Sequence, residues 1–186
     1  MRKLIDRLRS GMKERTEPVE QDVEARDADH RILFVCMGNI CRSPTAEGVL
    51  RHVAALEAPE LRLHVDSAGT HAYHLGEPPD PRAQRAAERR GISLAGLRAR
   101  RVVEEDFSRF DLILAMDRLN VTVLQEHCPA EHHSRIKLFL DYAPQLGRHD
   151  VPDPYYGGSN GFELVLDLVE DASRGLVAQL RADATR

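Results

Sequence analysis

An apolar run that passes through a tight polar turn into a helix constrains the fold of this chain more than any other feature. Residues 32–35 read ILFV, a run typical of a buried strand, and Pro44 is expected to begin a helix. Residues 36–43 form the turn between them, which we call the Cys–Arg loop. The main-chain amides of such a turn, with the helix dipole behind them, favour a bound anion. The segment therefore predicts an anion-binding loop at the carboxyl end of a strand.

The residue types in this loop indicate nucleophilic chemistry at phosphorus. Five residues separate Cys36 from Arg42. The amides, the helix N-terminus and Arg42 all favour a thiolate at Cys36, and the planar guanidinium matches two oxygens of a phosphoryl group. Gly38 allows the backbone to approach a ligand closely, and Asn39 tolerates left-handed geometry. Ser43 is expected to be the helix N-cap and is also suited to donate a hydrogen bond to the sulfur.

Apolar strands alternate with amphipathic helices from residue 31 onward. We predict strands at residues 32–36, 61–65, 112–115 and 136–140, helices after the first and third strands, and a long last helix across residues 162–180. Another helix is capped by Asp80, starts at Pro81 and stops at Gly91. This alternation predicts an α/β fold with a four-stranded parallel sheet between two layers of helices. Ligands of such sheets bind beyond the carboxyl ends of the strands, where Cys36 falls.

The bulk properties limit the class of protein. A chain of 186 residues with 42% hydrophobic and 30% charged residues has the composition of a soluble globular domain. Its net charge of −4 argues against nucleic-acid binding, which needs a basic face. No apolar run reaches transmembrane length, and the N-terminus lacks the pattern of a secretory signal. Three cysteines do not suggest a secreted disulfide framework, so we expect a cytoplasmic location.

The first 30 residues differ from the rest in charge pattern, with a basic first half and an acidic second half. We expect residues 1–30 to be a charged, flexible extension and residues 31–186 to be the catalytic domain. The alternative is a small basic amphipathic helix within residues 1–15 that touches a membrane surface or a partner.

A second group is needed to protonate the leaving oxygen in such a reaction. The candidate is Asp153, which begins the segment DPYYG within a long loop at residues 141–160. Pro154 stiffens the chain next to it, and Tyr155 and Tyr156 would form an aromatic wall for a flat substrate group.

The two motifs together resemble the low-molecular-weight protein tyrosine phosphatases. Further segments agree in order: DSAGT at residues 66–70, PDPRA at 79–83 and AMDRLN at 115–120. The resemblance implies a Rossmann-like sandwich in which Cys36 is the nucleophile, Arg42 clamps the phosphate and Asp153 is the acid and then the base. It implies three further sets: the phosphate-binding loop residues Met37, Gly38, Asn39, Ile40, Cys41 and Ser43, the aromatic walls Tyr73, Tyr155 and Tyr156, and the supporting residue Ser67, which would hydrogen-bond Asn39.

Other positions carry narrower expectations. Cys41 resembles the second cysteine of the family and would form a reversible disulfide with Cys36 on oxidation. Leu97 stands where members often carry a histidine, so we expect the support for Asn39 to be looser or to be completed by water, and the activity to be moderate. His71 and His74 are expected to be solvated loop residues.

Several alternatives stay open at this point. An arsenate reductase of related fold would need a mobile cysteine pair, for which only Cys128 remains. A protein-arginine phosphatase would favour threonine at the position of Ile40. A phosphoprotein-binding module would keep the loop without its catalytic residues.

A metal site is the last alternative, and its candidate ligands are His127, Cys128, His132 and His133. Their spacing fits no common structural zinc pattern, so we predict no metal and no cofactor. The expected partner is a phosphotyrosine-containing protein, such as a tyrosine kinase, and the expected oligomeric state is a monomer or weak dimer.

Overall fold

The computed structural model describes residues 27–156 and 158–185, and within them strands alternate with helices as predicted. The strands are β1 (His30–Cys36), β2 (Leu63–Gly69), β3 (Leu112–Ala115) and β4 (Ile136–Leu138). The α-helices are α1 (Arg42–Glu57), α2 (Pro81–Glu88), α3 (Glu104–Arg109), α4 (Arg118–His127) and α5 (Ser159–Ala184). Short 3₁₀ helices cover Ala130–Arg135, Phe139–Tyr142 and Pro144–Leu146.

The four strands form one parallel sheet in the order β2-β1-β3-β4, which confirms the predicted α/β sheet. Successive residues of β1 point to opposite faces, as the period of a strand requires. Ile32 and Phe34 pack into a core with α1, α2 and α5, whereas Leu33 and Val35 pack with residues of α3 and α4. Helices therefore cover both faces of the sheet.

Two strands differ from their predicted bounds. β2 starts at Leu63 and continues to Gly69, beyond the apolar alternation at residues 61–65, because its main chain pairs with β1 as far as Cys36 opposite Gly69. β4 ends at Leu138 and the chain turns into a 3₁₀ helix at Phe139, where a strand was predicted to residue 140. The end of β2 and the end of β4 both depend on main-chain pairing, which cannot be deduced from the pattern of apolar residues.

Two helices also differ in their ends. α1 begins at Arg42, two residues before Pro44, and α2 ends at Glu88 and not at Gly91. Asp80 caps α2 as predicted, with its side chain accepting from the Arg82 amide. Helix α3 was not predicted, because six residues are too few to show a helical period.

The structure describes little of the predicted N-terminal extension, since residues 1–26 lie outside the described part. β1 begins at His30, and Asp29 just before it pairs with Arg62. Across residues 27–156 and 158–185, none of the helices combines the length and the apolar character that crossing a membrane requires.

Candidate active site

The Cys–Arg loop surrounds the sulfur of Cys36, which β1 delivers to the carboxyl edge of the sheet. Cys36 is 3% exposed. The main-chain N–H of Asn39 donates to its Sγ at 3.3 Å, and the Ser43 Oγ lies 3.1 Å from the same atom. Both contacts would stabilise negative charge on sulfur.

The N-terminus of α1 is open toward this loop. The cap residue is Cys41, and no side chain caps the first amides of the helix, so they are available to an anion. The prediction that Ser43 is the N-cap is therefore wrong, because Ser43 already lies inside the first turn. Its hydroxyl lies 3.1 Å from the Cys36 sulfur and 3.3 Å from the carbonyl oxygen of Ala68, so its one proton can be donated to either atom.

Arg42 is buried and held by three acceptors from the other side of the site. Its Nη1 donates to Asp117 Oδ2 at 2.5 Å and to the carbonyl of Val151 at 3.1 Å, and Nη2 donates to Asp153 Oδ2 at 3.4 Å. Burial lowers the pKa of Arg42, but Cys36, Asp117 and Asp153 outweigh it and raise that pKa overall. The guanidinium is thus a fixed positive charge beside the sulfur.

Asp117 is a site residue that sequence reasoning missed. Its other oxygen caps α4 by accepting from the Asn120 amide at 2.7 Å, so one carboxylate fixes both the helix and Arg42. The segment AMDRLN contained it, and an aspartate two residues after a buried strand was the available signal.

Asn39 holds the loop from behind. Its φ of 55° is in the left-handed region, as its residue type predicted. The amide nitrogen donates to Ser43 Oγ and to Ser67 Oγ, each at 2.9 Å, and the amide oxygen accepts from the main chain of Arg100 at 2.9 Å. Each polar atom of this side chain therefore has a partner, and the looser support expected from Leu97 is not seen.

Glu47 completes this support and was also missed from the sequence. Ser67 Oγ donates to Glu47 Oε2 at 2.7 Å, and Arg51 pairs with the other oxygen at 2.7 Å. Burial raises the pKa of Glu47 to about 7, although Arg51 and the Ser67 hydrogen bond lower it in part. Leu97 lies half-buried against the main core and lines a groove together with Glu47.

The end of β2 fixes the other side of the loop. The Thr70 amide donates to the Cys36 carbonyl at 2.9 Å, and the His71 amide donates to the Met37 carbonyl at 3.0 Å. A Cβ at Gly69 would lie 2.8 Å from that Met37 oxygen, so this close approach of two main chains requires glycine.

A pocket of about 220 Å³ opens above the sulfur. Asp153 reaches it from the late loop, its side chain 41% exposed, with Oδ1 accepting from the Tyr155 amide at 3.1 Å. Tyr73 stacks on His71 at 5.1 Å between ring centroids, and Tyr155 packs edge-on against Tyr156. The lining consists of Cys36, Met37, Gly38, Ile40, Cys41, Arg42, Tyr73, His74, Asp153, Tyr155 and Tyr156.

The pocket brings together most of the residues predicted for the site, while Asn39, Ser43 and Ser67 lie behind it as its support. His74 is an addition, since a solvated loop position was expected for it. Its ring packs beside Gly38 and its Nδ1 lies 2.8 Å from Glu77 Oε2, which places it in the pocket wall.

The two other cysteines differ in position. Burial raises the pKa of the Cys41 thiol strongly, and the charges of Asp80 and Cys36 add to the rise, so Cys41 is a neutral thiol. Cys128 packs in the core on the opposite face of the sheet from Cys36.

Two of the histidines near Cys128 have ring nitrogens within hydrogen-bond distance of main-chain carbonyl oxygens. His127 Nδ1 lies 2.8 Å from the Val123 carbonyl, and His133 Nε2 lies 3.0 Å from the Cys128 carbonyl. In the described part of the chain, three or more histidine, cysteine or carboxylate side chains are nowhere grouped so that they could hold a metal ion.

Comparisons with known proteins match almost the whole described chain. A family model described as low molecular weight phosphotyrosine protein phosphatase matches residues 31–186. The Bacillus subtilis protein named low molecular weight protein-tyrosine-phosphatase YfkJ is 42% identical over 152 residues, which are 82% of this chain and 96% of that protein. The human low molecular weight phosphotyrosine protein phosphatase is 41% identical over 147 residues, 76% of this chain and 89% of that protein.

Solved structures agree with this fold. A protein tyrosine phosphatase from Entamoeba histolytica, crystallised with Hepes in its active site, superposes with a TM-score of 0.80 and 39% identity, over 83% of this chain and 99% of that one. The YfkJ crystal structure superposes with a TM-score of 0.78 and 40% identity, over 85% and 98% of the two chains.

Proposed function

The chain belongs to the low-molecular-weight phosphotyrosine protein phosphatase family, and we propose that Cys36, Arg42 and Asp153 carry its reaction. It is a cysteine-dependent hydrolase that removes phosphate from phosphotyrosine in proteins.

The first step transfers the phosphoryl group to sulfur. The Cys36 thiolate attacks phosphorus and forms an S–P bond while the bond to the tyrosine oxygen breaks. Asp153, in its protonated form, gives its proton to the departing phenolate oxygen. The Arg42 guanidinium and the amides of the Cys–Arg loop hold the three remaining oxygens as charge moves onto them.

The second step releases phosphate. The Asp153 carboxylate takes a proton from water as that water attacks phosphorus, the S–P bond breaks, and the Cys36 thiolate is restored. The Ser43 hydroxyl, 3.1 Å from the sulfur, is placed to stabilise the leaving thiolate. Inorganic phosphate then leaves the pocket.

The observation that carries this assignment is the convergence of the three groups around one pocket. Arg42 contacts Asp153 at 3.4 Å across 111 residues of sequence, and both line the same 220 Å³ space as Cys36. A nucleophile, a cation and a carboxyl group brought together in this way are the groups that phosphoryl transfer needs for attack, phosphate binding and proton transfer.

The test compares wild type with Cys36→Ser and Asp153→Ala on p-nitrophenyl phosphate and on a phosphotyrosine peptide. Cys36→Ser should be inactive on both substrates. Asp153→Ala should lose about 10²-fold or more on the peptide and less on p-nitrophenyl phosphate, whose leaving group needs no proton. Equal losses on both substrates would contradict the role of Asp153.

Arsenate and phospho-arginine should be tested separately in the same set of assays, because each is the substrate of an alternative function. Cys128 lies across the sheet from the pocket, which disfavours a cysteine relay to Cys36 and hence arsenate reduction. Ile40 lines the pocket with an apolar side chain, in agreement with an aromatic substrate. Faster turnover of phospho-arginine than of phosphotyrosine would reverse this choice.

Reversible oxidation is a further part of the proposal. Hydrogen peroxide would oxidise Cys36 to a sulfenic acid, and the Cys41 thiol would then displace water to form a disulfide. Peroxide-treated wild type should regain activity with thiol reductant, whereas Cys41→Ala should not. A cytoplasmic location, a tyrosine kinase as substrate and a monomer or weak dimer complete the proposal.

A further inference from the structure

The loop that carries the catalytic acid has few anchors beyond Asp153 itself. We call residues 151–156 the Asp153 loop. Its start is fixed by the Val151 amide, which donates to the Met116 carbonyl at 2.8 Å, and its middle by Pro154, which packs on Gly161. Asp153 is half-exposed, and its contact with Arg42 is long at 3.4 Å. The Tyr155 amide donates to Asp153 Oδ1 at 3.1 Å, a contact that ties the segment after Pro154 to Asp153 but not to the rest of the protein.

Arg82, from the first turn of α2, supplies a contact to that segment. Its Nη1 donates to the Tyr155 carbonyl at 3.1 Å. The guanidinium carbon lies 5.5 Å from the centre of the Tyr155 ring and 4.8 Å from that of Phe162 on α5. The side chain therefore holds Tyr155 through both its main chain and its ring.

The same guanidinium is tied to the Cys–Arg loop through Asp80. Nε and Nη2 of Arg82 donate to the two oxygens of Asp80 at 3.0 and 2.7 Å, a bidentate pair. The Asp80 amide in turn donates to the Ile40 carbonyl at 2.7 Å. One chain of short contacts thus runs from the loop that binds phosphate to the loop that carries the acid.

We propose that Arg82 is a positioning residue that fixes the Asp153 loop relative to the Cys–Arg loop, so that the Asp153 carboxyl group stands at proton-transfer distance from the leaving oxygen. The proposal rests on the role assigned to Asp153 above. Displacements of about 1 Å can cost on the order of 10²-fold in such a reaction, so a clamp outside the pocket can control the acid step. Arg82 is not among the residues that line the pocket.

The experiment measures kcat/KM of Arg82→Ala and Arg82→Lys on p-nitrophenyl phosphate and on phenyl phosphate. Loss of the clamp should weaken acid catalysis, which phenolate needs and p-nitrophenolate hardly needs. Arg82→Ala should lose about tenfold or more on phenyl phosphate and less than about threefold on p-nitrophenyl phosphate. Arg82→Lys keeps the charge without the planar fork and should fall between wild type and Arg82→Ala.

Two controls separate positioning from general damage. Arg85→Ala removes an exposed arginine from the same helix and should leave kcat/KM unchanged for both substrates. In the Asp153→Ala background, Arg82→Ala should cost less than about twofold, because no acid is left to position. Thermal unfolding of each variant shows whether it is folded. If Arg82→Ala does not fold, the same comparison of substrates is made with Arg82→Lys.

The possible results distinguish a failure of the role of Arg82 from a failure of the role of Asp153. Equal losses on both substrates, no loss, or additive losses with Asp153→Ala would each overturn the clamp while leaving the phosphatase assignment intact. If Asp153→Ala itself had no greater effect on phenyl phosphate than on p-nitrophenyl phosphate, the acid role would fall, and the clamp with it.

Discussion

Single residues in this protein carry charge at unusual places, and Glu47 is the clearest case. A glutamate that is 2% exposed within the buried side of α1 is uncommon, because burial disfavours its charged form. Here it accepts the Ser67 hydrogen bond that in turn supports Asn39. Glu47 therefore supports the Cys–Arg loop through Ser67, while the burial of its carboxylate destabilises the folded state.

We expect Glu47→Gln to flatten the pH dependence of stability. The pKa of Glu47 is raised from 4.5 to about 7, so between these values the folded protein holds a proton that the unfolded chain has lost. Stability from this group therefore falls as pH rises through that window, by roughly 3 kcal/mol at most. Urea unfolding at pH 5 and pH 8 measures the difference.

A matched control for that measurement is Glu88→Gln, which removes an exposed carboxylate from α2. It should keep the wild-type pH dependence. A Glu47→Gln protein that lost as much stability as wild type between pH 5 and pH 8 would show that Glu47 titrates near its ordinary value.

At the scale of elements, main-chain approach decides more than side-chain pattern. Helix α5 crosses the 3₁₀ helix Phe139–Tyr142 at Gly175, where an added Cβ would lie 1.8 Å from the Tyr142 carbonyl oxygen. The obstacle is main chain and cannot rotate away. A glycine inside a 26-residue helix, which would otherwise weaken it, is required by this contact.

Gly175→Ala should therefore destabilise the fold despite the better helix propensity of alanine. Overpacking against a main-chain atom at this distance should cost about 3 kcal/mol, the upper end of the usual range, and the propensity gain returns about 1. We therefore expect a net loss of about 2 kcal/mol and a Tm lower by about 4–8 °C. Gly161→Ala in the same helix would place its Cβ at an ordinary 3.4 Å from Pro154 and should not lower Tm. Equal Tm values for the two variants would contradict the close crossing.

Burial and main-chain contact together decide which elements could be predicted. The strand at Leu112–Ala115 and the stripe of α5 were predicted because burial alone specifies them. The second half of β2 lay outside the predicted strand because Asp66 and Ser67 are polar, yet from within β2 they accept hydrogen bonds from Arg100 and Asn39. A short motif identified Cys36 and Arg42, whereas the role of Glu47 becomes visible only when the distant residue Ser67 meets it in the fold.

For the molecule as a whole, the parallel sheet is what assembles the site. The carboxyl ends of β1, β2 and β3 lead directly to Cys36, Gly69 and the Asp117 cap, so three connections meet at one edge. Arg42 joins them to the Asp153 loop through Val151 and Asp153. An anion bound in this loop would touch several segments at once and should therefore stabilise the complete fold.

Inorganic phosphate should accordingly raise the unfolding free energy of the wild type. A ligand that binds only the folded state, present at 100 times its Kd, adds about 2.7 kcal/mol, which a thermal shift in orthophosphate measures. Asp153→Ala should keep or enlarge the shift, since it removes a carboxylate near the anion, and Arg85→Ala should keep it. Arg42→Ala should lose most of it, beyond any fall in its own Tm. A full shift in Arg42→Ala would place the anion elsewhere than the Cys–Arg loop, because no other described side chain that lines the pocket offers a guanidinium.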